Sequence, residues 1–295
     1  MVNQFLQSFS SLPLDLFFKG ITYFGHPGLW FVLGAILFWL GKEKQSFKLV
    51  SLVLFASFFS GILKYIIGRP RPVGLIQLSE EFTPSMPSGH STIAGAIAGY
   101  AYFSKQIQKN YAIILIGLAL LTALSRVYLG VHFLSDVLAG LLLGALIGWF
   151  VFTLDQKLNK MEFHITKIKD EFLIIAFFVL VIIFYLFVPA EFYGAFALVG
   201  YFSGYAIYRH TEVKEILVLP QTKTQSIIAV FFGLGGLGAI GLIAYFSTGL
   251  ISQVTFFISG LFVTLFWPIV ISKFVLKREN LKTKRILKKK KAKSK

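Results

Sequence analysis

The sequence predicts an all-α fold, a polytopic membrane helical bundle of about nine transmembrane helices. Three observations predict it. The 295 residues are 56% hydrophobic and only 14% charged, with a mean hydropathy of +0.74. Apolar runs long enough to cross a bilayer recur along most of the chain. These runs are continuous rather than alternating, which favours helices over barrel strands, and in hydrocarbon only those two architectures satisfy their own backbone groups. A soluble domain is excluded by the same composition.

In chain order, residues 1–26 come first. Phe5, Leu6, Leu12, Leu14, Leu16, Phe17 and Phe18 alternate loosely with polar residues and Pro13, the pattern of an amphipathic segment lying on the membrane surface. Nine apolar spans follow, at roughly 27–42, 46–67, 88–104, 110–130, 132–154, 171–189, 191–208, 226–247 and 250–276. A basic tail, 277–295, carries eleven Lys or Arg against the single Glu279. A basic run directly after an apolar span lies on anionic headgroups at the cytoplasmic face rather than on nucleic acid.

The chain divides functionally near residue 155, because every polar block inside the apolar sequence precedes it. The core is therefore 27–154, and 155–276 forms four additional transmembrane helices with no charge in their apolar centres. Those helices read as packing surface or as a homodimer interface. Gly233, Gly235, Gly236, Gly238 and Gly241 make one of them a candidate for close helix contact.

Loop charge sets the orientation. Lys42, Lys44 and Lys48, then Lys105 and Lys109, then Lys157, Lys160, Lys167 and Lys169, then Arg209, Lys214 and Lys223 all fall on one side, with the tail. The other side carries only Lys19, Lys64, Arg69, Arg71 and Arg126. The positive-inside rule puts the C-terminus in the cytoplasm and the polar blocks on the extracytoplasmic or lumenal face.

The blocks are Lys64-x6-Arg71-Pro72, Pro87-Ser88-Gly89-His90 and Ser125-Arg126-x5-His132-x3-Asp136, each at the end of an apolar helix. Taken singly they have plain readings. Lys64 can snorkel to the interface, and Ser88 after Pro87 suits a helix start. The third block resists such a reading. An Asp one turn into a membrane helix costs roughly 2.5–3.5 kcal/mol at mid-membrane and is normally paired. His132 lies four residues before Asp136, on the same helix face.

A His–Asp pair can hold an imidazole in one tautomer for attack on phosphorus. Lys64, Arg71 and Arg126 can neutralise phosphoryl oxygens, Arg in bidentate fashion. Ser88 and the Gly89 N–H lie at a helix N-terminus, which attracts anions. His90 is free to protonate a leaving oxygen. The chain has no cysteine. The nearby acids, Glu80 and Glu81, are not spaced with a histidine as metal ligands, so neither a metal nor another cofactor is expected.

Together the three blocks resemble the signature of the type 2 phosphatidic acid phosphatase superfamily and match it without a departure. The resemblance covers roughly 27–154 and does not reach the later spans. It implies a helical membrane core that hydrolyses phosphomonoesters or pyrophosphates of lipids without metal, through a phosphohistidine. It implies His132 as nucleophile, Asp136 as its partner and His90 as general acid, with Lys64, Arg71, Ser88, Gly89 and Arg126 binding phosphate. Polyprenyl, phosphatidate and sphingoid phosphates are the substrate classes, with membrane lipids as surroundings. The alternatives are a soluble sugar phosphate, as for glucose-6-phosphatase of the same superfamily, phosphoryl transfer to an alcohol, and a non-catalytic transporter or scaffold.

Overall fold

The structure is a computed structural model that describes residues 2–79, 81, 83–104, 107–160, 179, 193–210, 220 and 222–276. All of its regular elements are helices: α1 (Val2–Gln7), α2 (Leu12–Thr22), α3 (Pro27–Trp39), α4 (Glu43–Ile67), α5 (Gly89–Phe103), α6 (Lys109–Tyr128), α7 (Leu134–Lys160), α8 (Tyr193–His210), α9 (Lys223–Phe246) and α10 (Gly249–Leu261), the last running on through wider turns to Leu276.

Five helices among the described residues are long and apolar enough to cross a membrane: α4, α6, α7, α9 and Gly249–Lys273. The pair Leu12–Gly25 and Pro27–Trp39, bent by 57° at His26, makes a sixth if it is one span. The expected span at 171–189 and the basic tail lie outside the described residues.

The chain forms two compact units. The first comprises Met1–Phe31 and Lys48–Lys167. At its centre is α5, in which every residue from Ser91 to Gly99 is buried. Small residues let this happen. Gly140, Gly144 and Gly148 recur one turn apart on α7, and a Cβ on any of them would collide with the α5 backbone or with Ser91 and Thr92. On α5, Gly95 and Gly99 meet the backbone at Leu141 and Ala145 in return. Such close approach of small residues supplies packing where the hydrophobic effect between helices is absent. Trp30, Leu52, Val53, Ile93, Ile97 and Ile147 fill the space beside this contact.

Two polar features fix the ends of this unit. Lys48 and Asp155 pair at 2.7 Å, which ties the start of α4 to the last turns of α7. At the opposite end, α1 does more than rest on a surface. Asn3 is buried, and its Nδ2 donates to the carbonyls of Val127 and His132, both at 2.9 Å. Gln7 Nε2 donates to Ile76 O at 2.7 Å and to Tyr128 O at 3.1 Å.

The second unit comprises Val32–Phe47 and Ile168–Lys295. Here α8 and α10 meet through Gly200 and Gly260, where a Cβ would strike the backbone of Phe257 and Ala197. Trp39 Nε1 donates to Val263 O at 2.9 Å. Ser46 Oγ donates to Gly34 O at 2.6 Å and lies 2.6 Å from the Tyr201 hydroxyl. Of the α9 glycines, Gly233 faces Trp39 and Trp267 and Gly236 faces Phe262, whereas Gly235, Gly238 and Gly241 have nothing within 4 Å.

Candidate active site

The C-terminal ends of α4 and α6 and the N-terminal ends of α5 and α7 meet at one end of the first unit. The eight residues singled out from the motifs lie in these ends or in the adjoining loops.

Lys64, in the last turn of α4, is buried and donates to the Pro84 carbonyl. Arg71 lies in the loop beyond. Its Nε donates to Thr83 O at 2.7 Å and its Nη1 to Val131 O at 2.8 Å. The same Nη1 is 3.2 Å from His132 Nε2. A guanidinium has only donors, so Nε2 of this imidazole carries its lone pair and the ring proton sits on Nδ1. Nδ1 faces Asp136 Oδ2 at 3.5 Å.

Asp136 is fully buried and densely held. Its Oδ2 accepts from the Phe133 N–H at 2.9 Å, and its backbone carbonyl accepts from the Ser88 N–H at 3.0 Å. Its Oδ1 accepts from Arg69 at 2.7 Å. Arg69 also donates to Ser135 Oγ at 2.6 Å and lies over the Phe133 ring, 4.3 Å from its centroid.

Ser88 caps α5: its Oγ accepts from the Ser91 N–H at 3.4 Å and is 3.1 Å from Ser91 Oγ. Both its hydroxyl and its N–H therefore have partners within the protein. The N–H groups of Gly89 and His90 follow in the first turn, the part of a helix that favours anions. His90 is within electrostatic reach of Arg126, His26, His132 and Lys64.

Arg126 is 1% exposed. It donates to Thr22 Oγ1 at 3.0 Å and to Glu81 Oε1. Glu81 Oε2 is 3.3 Å from Arg71 Nη2. One carboxylate thus bridges two of the three motif cations. No three His, Cys, Asp or Glu side chains cluster as metal ligands among the described residues.

Four residues at this end of the unit lie outside the three motifs. The sequence marks Glu81 only as a nearby acid and Arg69 only as an outer-face cation. Asn3 and His26 carry no motif signal. The one available hint is His26-Pro27 directly after Gly25, a break in an apolar stretch.

Burial dominates the titration of His132. It outweighs the pull of the Asp136 carboxylate and, with the charges of Arg126, Arg71 and Lys64, pushes the imidazole from its ordinary 6.5 down to about 4. Above pH 6.5 the ring is neutral in both folded and unfolded chains. Between 6.5 and about 4 only the unfolded chain takes up the proton, so the fold loses stability as pH falls, by about 3 kcal/mol in full. A His132→Asn variant has no such pH-dependent loss. Thermal melting in detergent should show the wild type losing ground to the variant from pH 7 to pH 4.5; parallel melting curves over that range would refute the shift.

The family model of the PAP2 superfamily matches residues 45–160, which contain all three motifs. The phosphatidylglycerophosphatase B of Bacillus subtilis is 34% identical over 157 residues, covering 48% of this chain and 76% of that protein. The lipid A 1-phosphatase of Rhizobium etli is 37% identical over 121 residues, covering 38% of this chain and 47% of that one. A crystal structure of a transmembrane PAP2-type phosphatidylglycerolphosphate phosphatase from Bacillus subtilis superposes with a TM-score of 0.48 at 31% identity, covering 53% of this chain and 83% of that one. The chain thus spans three quarters of the first relative and about half of the second. With the three motifs intact and gathered at one end of an all-helical bundle, the protein belongs to the PAP2 superfamily.

Proposed function

We propose that the protein is a membrane phosphatase that hydrolyses a lipid phosphate or diphosphate through a phosphohistidine on His132, without a metal. One observation carries this reading. The Glu81 carboxylate already lies across Arg71 and Arg126, and Arg71 Nη1 is 3.2 Å from His132 Nε2. An anion is thus held by two motif cations, one of which touches the proposed nucleophile.

The chemistry follows from the atoms. Nε2 attacks phosphorus, and Nδ1–H faces a carboxylate that stabilises the imidazolium as it forms. Arg71, Arg126 and Lys64 take the equatorial oxygens, displacing Glu81 from the guanidinium groups. His90, at the start of α5, gives its proton to the leaving oxygen and then takes one from the water that cleaves the P–N bond. Ser88 contributes by capping α5 and by its N–H to the Asp136 carbonyl, with the Gly89 N–H left to the phosphate.

The names of two relatives, a phosphatidylglycerophosphatase and a lipid A 1-phosphatase, support a lipid substrate. Exposed apolar side chains around the site end, such as Ile66, Val73 and Ile76, fit a substrate arriving from the bilayer. Loop charge supports a site on the extracytoplasmic or lumenal face. A single cysteine placed at Ser79 of this cysteine-free chain should react with an impermeant reagent from that face only; reaction from the cytoplasm alone would reverse the orientation.

The decisive screen measures phosphate release by purified protein from polyprenyl diphosphate, phosphatidate, a sphingoid phosphate and glucose 6-phosphate. Turnover of a lipid substrate should persist in excess chelator and fall with vanadate. Loss of all activity on chelation, or turnover of glucose 6-phosphate alone, would overturn the proposal.

A further inference from the structure

His26 sits where the chain breaks by 57° between α2 with its following turn and α3. The break is built against the site at three points. Thr22 Oγ1 accepts from Arg126 at 3.0 Å. Gly25 packs so tightly on His90 that a Cβ there would come within 2.7 Å of His90 Cβ. The rings of His26 and His90 then lie with centroids 5.8 Å apart.

The His26 ring is pinned as well. Its Nδ1 accepts from the Gly28 N–H at 3.1 Å. The ring proton therefore resides on Nε2, which makes Nε2–H a donor. Unlike the buried His132, His26 is exposed. The charges of Glu81 and Arg126 reach it. The charges of His132 and His26 both reach His90, and the His26 ring is the one that neighbours it, so His26 lies on the general acid's side of the site. That is the leaving-group side of the site.

Resting on the phosphatase reading above, we infer that His26 contacts the leaving group, that this group is itself a phosphate, and that the substrate class is a lipid diphosphate. A fixed N–H that feels the charge of Arg126 suits an oxyanion, and a simple leaving alcohol, such as that from phosphatidate or a sphingoid phosphate, offers none beyond the atom His90 protonates. The step balances. His132 Nε2 bonds to the terminal phosphorus as the bond from phosphorus to the bridging oxygen breaks. That oxygen keeps the electron pair, takes the His90 proton and departs on the lipid monophosphate. His26 Nε2–H donates to a non-bridging oxygen of the departing phosphate. Water then cleaves the P–N bond, releasing inorganic phosphate and returning a proton to His90.

The test compares phosphate release by the full chain from a polyprenyl diphosphate and from the monophosphate of the same tail. The wild type should favour the diphosphate by about tenfold or more in kcat/KM. For His26→Phe, the diphosphate value should fall about tenfold to a hundredfold, the range for a lost hydrogen bond to a charged group, with the monophosphate within about threefold. His26→Gln, which places an amide N–H near the Nε2 position, should recover most of the loss. If His26→Phe does not fold, His26→Asn, which has no group at that position, takes its place. Equal losses on both substrates, no loss on the diphosphate, or a wild type that prefers the monophosphate would each overturn the assignment while leaving the phosphatase reading intact. A wild type that releases phosphate from no lipid substrate would remove both.

Discussion

Replacing His132 by alanine should reduce phosphate release to background, a loss on the order of 10⁴-fold or more in kcat, because it removes the atom that forms the covalent intermediate. The protein should remain folded. The loop that carries His132 is anchored through backbone, not through the ring: Asn3 donates to the carbonyls of Val127 and His132. Arg71 loses the imidazole but keeps Thr83, Val131 and Glu81. The removed ring is buried, so some loss of melting temperature is expected from the cavity. His132→Asn, which fills more of that space, should be as inactive and better folded. Activity within tenfold of wild type in either variant, with a normal elution profile, would mean that the nucleophile lies elsewhere.

The second large effect is expected from Asp136→Asn. Four groups depend on this residue: the His132 Nδ1, the Phe133 N–H, the Arg69 guanidinium and, through its backbone, the Ser88 N–H. Asparagine preserves the backbone contact and the shape. It removes the charge that stabilises a His132 imidazolium, and its amide can turn an N–H toward Nδ1 or toward Arg69. Either orientation sets two donors against each other. A drop on the order of 10²–10⁴ in kcat with little change in KM is expected, since the carboxylate acts as charge develops rather than in binding. Arg69→Gln makes a useful contrast. It removes only the partner on Oδ1 and should cost far less. Steady-state kinetics on both variants decide the matter: a raised KM with unchanged kcat for Asp136→Asn would assign Asp136 to binding.

Much of this site was legible in the sequence because its parts are local. Pro87-Ser88-Gly89-His90 encodes a helix start, and α5 begins at Gly89 with Ser88 as its cap. The four-residue spacing of His132 and Asp136 encodes a shared face, and their side chains meet at 3.5 Å. Continuous apolar runs encode helices, and the described helices lie at the expected positions, most with bounds within a few residues, although only five of them, or six with the bent pair, are long and apolar enough to cross a membrane.

What was not legible is tertiary. Asn3 reaches His132 across 129 positions, and Arg126 reaches Glu81 across 45. No local pattern marks Asn3 as a clamp or Glu81 as the carboxylate between two arginines. The composition of the N-terminal segment does not reveal that Asn3 and Gln7 are hydrogen-bonded into the loops around the site. The glycines of α9 divide in the same way: Gly233 and Gly236 pack against aromatic rings, and the other three have no neighbour within 4 Å. The tightest approach in the first unit is set instead by Gly140, Gly144 and Gly148, whose meaning depends on which face α5 covers.

The most direct test of the account is rapid-quench labelling with a substrate carrying ³²P in the transferred phosphoryl group, followed by peptide mapping. The account predicts a label that is stable to base and labile to acid, appears before inorganic phosphate, and maps to His132. Label on another residue, or phosphate released at full rate with no labelled protein at any time, would contradict it.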